Sequence, residues 1–169
     1  MPKVSAKQNK NAYQLTREGL GLTRERASEV LEWISKERIE RIENEKSVPE
    51  PDEVLRMAEA YRNPALCNYY CANQCSIGNR CVPEIKTVEL AKIVLEMLAS
   101  LNSMNKSKDR LIEITADGEI GDDEIKDFIY IQGELERISA TVDALRLWSE
   151  QMLASGAINA DKYRALKSK

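Results

Sequence analysis

A chain of 169 residues is long enough to bury a substantial core as one domain or two small ones. With 31 % charged and 5 % aromatic residues and few glycines or prolines, it reads as an all-α globular protein whose helices carry charged outer faces. A net charge of −3 gives no global attraction for nucleic acid or an anionic membrane, and the absence of histidine removes the commonest general base and metal ligand together. No nucleophile, base and orienting group come together, so the sequence predicts a protein that is not an enzyme.

The start, MPKVSAKQNK, is polar and no hydrophobic stretch follows it, which predicts a cytoplasmic protein whose residues 1–10 form a flexible arm. No run of apolar residues is long enough to span a membrane. Short helical patterns then succeed one another over residues 11–73. Within LTRERASEVLEWISKERIERIENEKSVPEPDEVLRMAEAY, Thr23 caps a helix carrying Ala27, Val30 and Leu31, and Ser35 caps one carrying Ile39 and Ile42. Pro49 and Pro51 close the next loop, and Asp52 is the expected cap of a third helix burying Val54, Leu55 and Ala58. Two short helices joined by a tight turn and followed by a capped third have the layout of a helix-turn-helix.

These residues resemble the phage-repressor/Cro-type, or Xre-family, helix-turn-helix domain: Leu22-Thr23, small Ala27 and Ser28, Ile34-Ser35, Ile39, then Arg41-Ile42-Glu43-Asn44, Lys46 and Pro49. The resemblance covers about a third of the chain and implies a lambda-repressor-like bundle that binds double-stranded DNA. It assigns Arg17 and Glu43 to a buried structural ion pair. It places Lys36, Glu37 and Arg41 against base edges, where Lys and Arg read guanine and Glu accepts from cytosine. Arg24, Arg38, Asn44 and Lys46 are implied contacts to the DNA backbone, which position without specifying. Two departures stand out: Glu45 occupies a place where the family has glycine, and the turn LEWIS replaces a glycine-containing one and brings in Trp33.

Bases and acids compete along this segment. SKERIERIENEKSVP carries four of each. Over residues 1–48, ten Lys and Arg face eight Asp and Glu, a net of +2, whereas residues 83–169 hold twelve against sixteen, a net of −4.

Residues 74–86 read as a connector. Cys75 and Cys81 within it, together with Cys67 and Cys71 just before, make up all the cysteine in the chain. If the segment is helical, four-residue spacings put the first three on one face, and an all-cysteine zinc or iron–sulfur site becomes possible. Small buried thiols are the leading reading in a cytoplasmic chain, and a redox-responsive cluster is the third.

Residues 87–169 read as a long antiparallel helical hairpin. The first arm, from about Thr87 to Ile114, has Val94, Leu98, Leu101 and Ile112 on one stripe, broadened by Leu90, Ile93, Met97 and Met104 and interrupted by Lys108. The second, from about Asp122 to Ser155, carries a heptad-like seam of Phe128, Leu135, Ile138, Val142, Leu145 and Met152. EITADGEIGDDE between them imitates part of a calcium loop, but Asp117-Gly118 is equally a turn and the following acids suit a helix start. Two helices bury one stripe each, so the hairpin is expected to pack on another surface: a second copy in a dimeric regulator or, on the alternative reading of an adaptor that does not bind DNA, a protein partner.

Overall fold

The computed structural model describes residues 9–86 and 89–168, and among these it is all-helical. Most of the expected arm, residues 1–8, lies outside the described residues, as do Thr87 and Val88. The described chain forms α1 (Ala12–Gly19), α2 (Arg24–Leu31), α3 (Lys36–Glu43), α4 (Pro51–Ala60), α5 (Ala65–Asn73), α6 (Gly78–Cys81), α7 (Leu90–Ile114), α8 (Ile125–Ser155) and α9 (Ala160–Lys167). They divide into two compact units, one of residues 1–84 with 149–169 and one of residues 85–148. No helix among the described residues is long and apolar enough to cross a membrane.

The N-terminal unit is built from short helices with strong local start signals. Asn11 caps α1 through the Gln14 N–H, Thr23 caps α2 through Arg26, and Ser35 caps α3 through Arg38. The cap of α4 is Glu50 rather than Asp52: Glu50 and Glu53 form a reciprocal capping box, with Pro51 in the first turn, where a missing N–H costs nothing. Tyr13, Leu31, Ile34, Ile39, Ile42, Val54, Met57, Tyr61 and Leu66 make one buried cluster. On α4 it is Met57 that joins Val54 and Ala58 in this core, while Leu55 is exposed. Tyr13 crosses the cluster edge-on to Tyr69, with ring centroids 5.6 Å apart, and donates its hydroxyl to Gln74 Oε1 at 2.8 Å.

The cysteine segment is not an open connector. α5 and α6 belong to the N-terminal unit, and a Cβ on Gly78 would lie 2.3 Å from the Cys71 carbonyl oxygen, so only glycine lets α6 sit this close. Residues 149–169, expected to continue the hairpin, group instead with the N-terminal unit, and α9 is a separate short helix started by Asn159 after a left-handed turn at Gly156.

In the second unit, Ser103 and Tyr130 share a hydroxyl–hydroxyl hydrogen bond of 2.9 Å, and Arg110 Nε reaches Asp127 Oδ2 at 2.8 Å. These contacts fix the antiparallel register of α7 against α8. That register buries Ile93, Ser100 and Ile114 of α7 and Ile131, Glu134 and Thr141 of α8. The stripe expected to face inward on α7, Val94, Leu98, Leu101 and Ile112, is exposed, as are Leu135 and Val142 of the expected α8 seam. Two adjacent stripes on each arm carry apolar residues, and their spacing alone does not say which one turns in.

Candidate nucleic-acid interface

The centre of the site is α3, held by a buried charge triad at its C-terminal end. Glu43 is 1 % exposed. Arg17 Nε donates to Glu43 Oε1 at 2.5 Å and Nη2 to Oε2 at 2.9 Å, a bidentate pair between α1 and α3. Burial works against the Arg17 charge, but its bonds to Glu43 more than offset this and the pKa of Arg17 is raised. Arg24, in the first turn of α2, donates Nε to the same Glu43 Oε2 at 2.8 Å and lies 3.7 Å from Glu40. Glu43 thus serves the fold and also aims a partly exposed arginine beside the start of α2.

Arg38 is committed to α4. Its guanidinium donates to both Glu53 oxygens at 2.7 and 2.6 Å, to Ser47 Oγ at 2.8 Å and to the Val48 carbonyl at 3.1 Å. Burial pushes the Glu53 carboxyl up, yet Arg38 and the Glu50 N–H prevail and its pKa is lowered. Of the residues implied as backbone contacts, Arg38 is the one whose N–H groups are nearly all spent within the domain, so its place is to fasten α3 and the following loop onto α4.

The outward face of α3 carries Lys36, Glu37, Glu40 and Arg41, all exposed. Lys36 Nζ lies 2.5 Å from Glu25 Oε1 of α2. The hydrogen bond from Lys36 holds Glu25 down to about 2, and Glu25 raises Lys36 in return. Both side chains are in water, where such a pair is screened and easily exchanged for another anion. Arg41 and Lys46 make no ion pair among the described residues. Asn44 is half-buried at the C-cap of α3. Glu45 adopts φ +57°, and the Lys46 N–H returns to the Arg41 carbonyl at 2.9 Å, closing α3 with a left-handed residue that is here a glutamate.

The turn between α2 and α3 is also unusual. Glu32 takes φ 67°, ψ −68°, and the Trp33 N–H bonds to the Leu31 carbonyl at 2.8 Å, a three-residue turn rarely adopted by side chains other than glycine. Arg56 of α4 braces it, donating Nη2 to the Val30 carbonyl at 2.9 Å and lying 3.2 Å from the Glu32 carboxylate. Trp33 is left 58 % exposed beside the N-terminus of α3. No local pattern in the sequence marks either brace: Arg38–Glu53 joins α3 to α4, and Arg56–Glu32 joins α4 to the turn after α2.

The structure does not draw the four cysteines together as a ligand set. Among the described residues no three His, Cys, Asp or Glu side chains are grouped to hold an ion. The helical face that would have aligned the thiols ends with α5 at Asn73, Cys75 Sγ instead accepts the Gly78 N–H at 3.4 Å, and Cys81 is exposed on α6. All four are free thiols, and burial raises the pKa of Cys67. The acids of the calcium-like loop are used by the chain: Asp117 Oδ1 accepts the Glu119 N–H at 3.1 Å and Glu124 accepts that of Gly121 at 3.0 Å.

Residues 15–65, from α1 to the start of α5, match the helix-turn-helix family model. No curated protein and no solved structure is matched by the chain. The match ends where the cysteine segment begins and spans the Arg17–Glu43 pair, the turn at Glu32 and the whole outward face of α3. This part of the chain is a helix-turn-helix domain of the Xre, lambda-repressor type.

Proposed function

We propose that the protein is a cytoplasmic, sequence-specific DNA-binding transcriptional regulator that acts as a dimer and carries no catalytic step. The observation that supports it most is the outward face of α3 within a domain of this family: Lys36 and Arg41 are exposed together with Glu37, on a helix capped by Ser35. Lys36 and Arg41 suit guanine edges and Glu37 suits the cytosine amino group. Arg24, Lys46 and Asn44 flank them as backbone contacts, with Arg24 pre-aimed by Glu43. The exposed Glu25–Lys36 pair exchanges Glu25 for DNA as Lys36 enters the groove.

A second reading rests on the same charges. Glu25 and Glu40 sit against Lys36 and Arg24, and their carboxylates oppose a phosphate backbone. An adaptor that meets proteins through this domain or through the hairpin would keep such pairs intact. Selection of random duplex DNA by the purified protein at near-physiological salt separates the two. A regulator enriches a two-fold site, loses it on Lys36→Ala/Arg41→Ala, and weakens steeply as salt rises. A folded protein that enriches no sequence refutes the regulator and leaves the adaptor.

A further inference from the structure

The hairpin leaves an apolar stripe outside on each arm as well as burying Ile93, Ile114, Ile131 and Leu147. Its buried seam contains Ser100, Glu134 and Thr141, whereas the neighbouring positions are aliphatic and exposed: Val94 41 %, Leu98 52 %, Leu101 42 %, Leu135 46 % and Val142 52 %. Each of these follows a seam residue by one position: Val94 after Ile93, Leu98 after Met97, Leu101 after Ser100, Leu135 after Glu134 and Val142 after Thr141. One residue turns a helix by about 100°, in the same rotational sense on both arms. In an antiparallel pair of right-handed helices, equal turns past the shared seam bring both stripes to the same side. Leu90, one turn before Val94, extends the α7 stripe.

We infer that this face of the hairpin is covered by the same face of a second copy of the chain, giving a four-helix bundle. The inference rests on the dimeric reading above and assigns its surface. Three features select a second copy. Val94 and Leu101, and likewise Leu135 and Val142, repeat every seven residues, which is the period of a helical partner. Two parallel aliphatic stripes side by side are self-complementary about a two-fold axis, as an isologous interface requires. The exposed fractions correspond to on the order of 500 Å2 of aliphatic surface per hairpin, so two copies bring together about 1,000 Å2 before any polar rim is counted, the size at which specific interfaces begin. The seam is mixed, with Ser100, Glu134 and Thr141 inside beside Ile93, Ile114, Ile131 and Leu147, and pairing of hairpins adds apolar burial to it.

Sedimentation of the full chain without DNA tests this. At tens of micromolar the protein is expected at twice its 19.2 kDa mass. Leu98→Glu/Leu101→Glu should sediment as a monomer, with self-association weakened at least about a hundredfold, because each dimer then buries four carboxylates in its centre. Leu95→Glu is the control: Leu95 is 68 % exposed and two positions past Ile93, outside the stripe, and its dimer should be unchanged. Leu135→Glu, on the other arm, should repeat the loss and decides the matter if the first variant loses helical circular dichroism. A wild-type chain that is monomeric throughout, or dimers that survive both variants, would overturn the inference. A dimer that enriches no duplex would remove the proposed regulator and leave this interface standing.

Discussion

The two units solve the problem of charge and core in opposite ways. In the N-terminal unit one apolar cluster forms the inside and the charges buried beside it are paired: Glu43 with Arg17 and Arg24, Glu53 with Arg38. In the hairpin the inside is mixed, Ser100, Glu134 and Thr141 beside Ile93, Ile114, Ile131 and Leu147, while Val94, Leu98, Leu101, Leu135 and Val142 are exposed, and the cross-arm pair Arg110–Asp127 is about half exposed on the carboxylate side. The first unit pairs its buried charges within one chain, whereas the second leaves a continuous apolar stripe on each arm.

The sharpest way to break the contrast is to remove the charge at the centre of the first unit. Glu43→Ala leaves two arginines facing a buried, empty acceptor site and is expected to cost about 3–5 kcal/mol. Thermal unfolding of the full chain should show the loss in the N-terminal unit and spare the hairpin. An unchanged melting temperature would show that water or neighbouring groups replace the carboxylate without penalty, and that the pair does not organise the domain.

Acid should discriminate between the units in the same sense. Glu53 has its pKa lowered below 4.5 in the folded chain, so its pairing with Arg38 stabilises the fold fully above 4.5 and is lost as the pH falls through the lower folded value. Glu53→Gln keeps the shape and removes the charge; it should cost about 1–2 kcal/mol at neutral pH, with the gap to wild type closing below pH 4.5. The exposed Arg110–Asp127 pair in the hairpin gives little for acid to remove. A gap between Glu53→Gln and wild type that persists in acid would assign the effect to packing of the side chain rather than to its charge.

How much of this was legible in the sequence follows from the range of each interaction. Thr23 and Ser35 act on N–H groups three residues away, and such caps can be read directly from the chain. The Arg17–Glu43 pair spans 26 positions and came to notice through a family resemblance, since no local pattern could supply it. For Arg38 the resemblance implies a backbone contact, and no local pattern marks its bond to Glu53, which lies 15 residues on and belongs to another helix. On α7 the pattern is ambiguous: Ile93 and Val94, Met97 and Leu98, each offer a usable stripe, and the choice between them depends on packing against α8, where Ser103–Tyr130 and Arg110–Asp127 mark the register. The docking of residues 149–169 with the N-terminal unit depends on tertiary surfaces that periodicity does not report.

The smallest effect concerns the two turns, where each unit again takes its own course. The hairpin turn places glycine, Gly118, at its φ of +80°, whereas the turn ahead of α3 places Glu32 at φ 67°. A side chain there stores roughly 1–3 kcal/mol of backbone strain, against which stand the contact of Glu32 with Arg56 and the greater freedom of a glycine chain when unfolded. The Glu32 carboxylate is largely in solvent, so its ion pair recovers little. The Arg56 bond to the Val30 carbonyl does not need the Glu32 side chain and survives its removal. Glu32→Gly should therefore stabilise the N-terminal unit by about 1 kcal/mol, read as a rise of several degrees in its melting temperature. A fall would mean that Arg56 holds the turn chiefly through the carboxylate, and that the approach of α2 to α3 is set by charge rather than by the backbone.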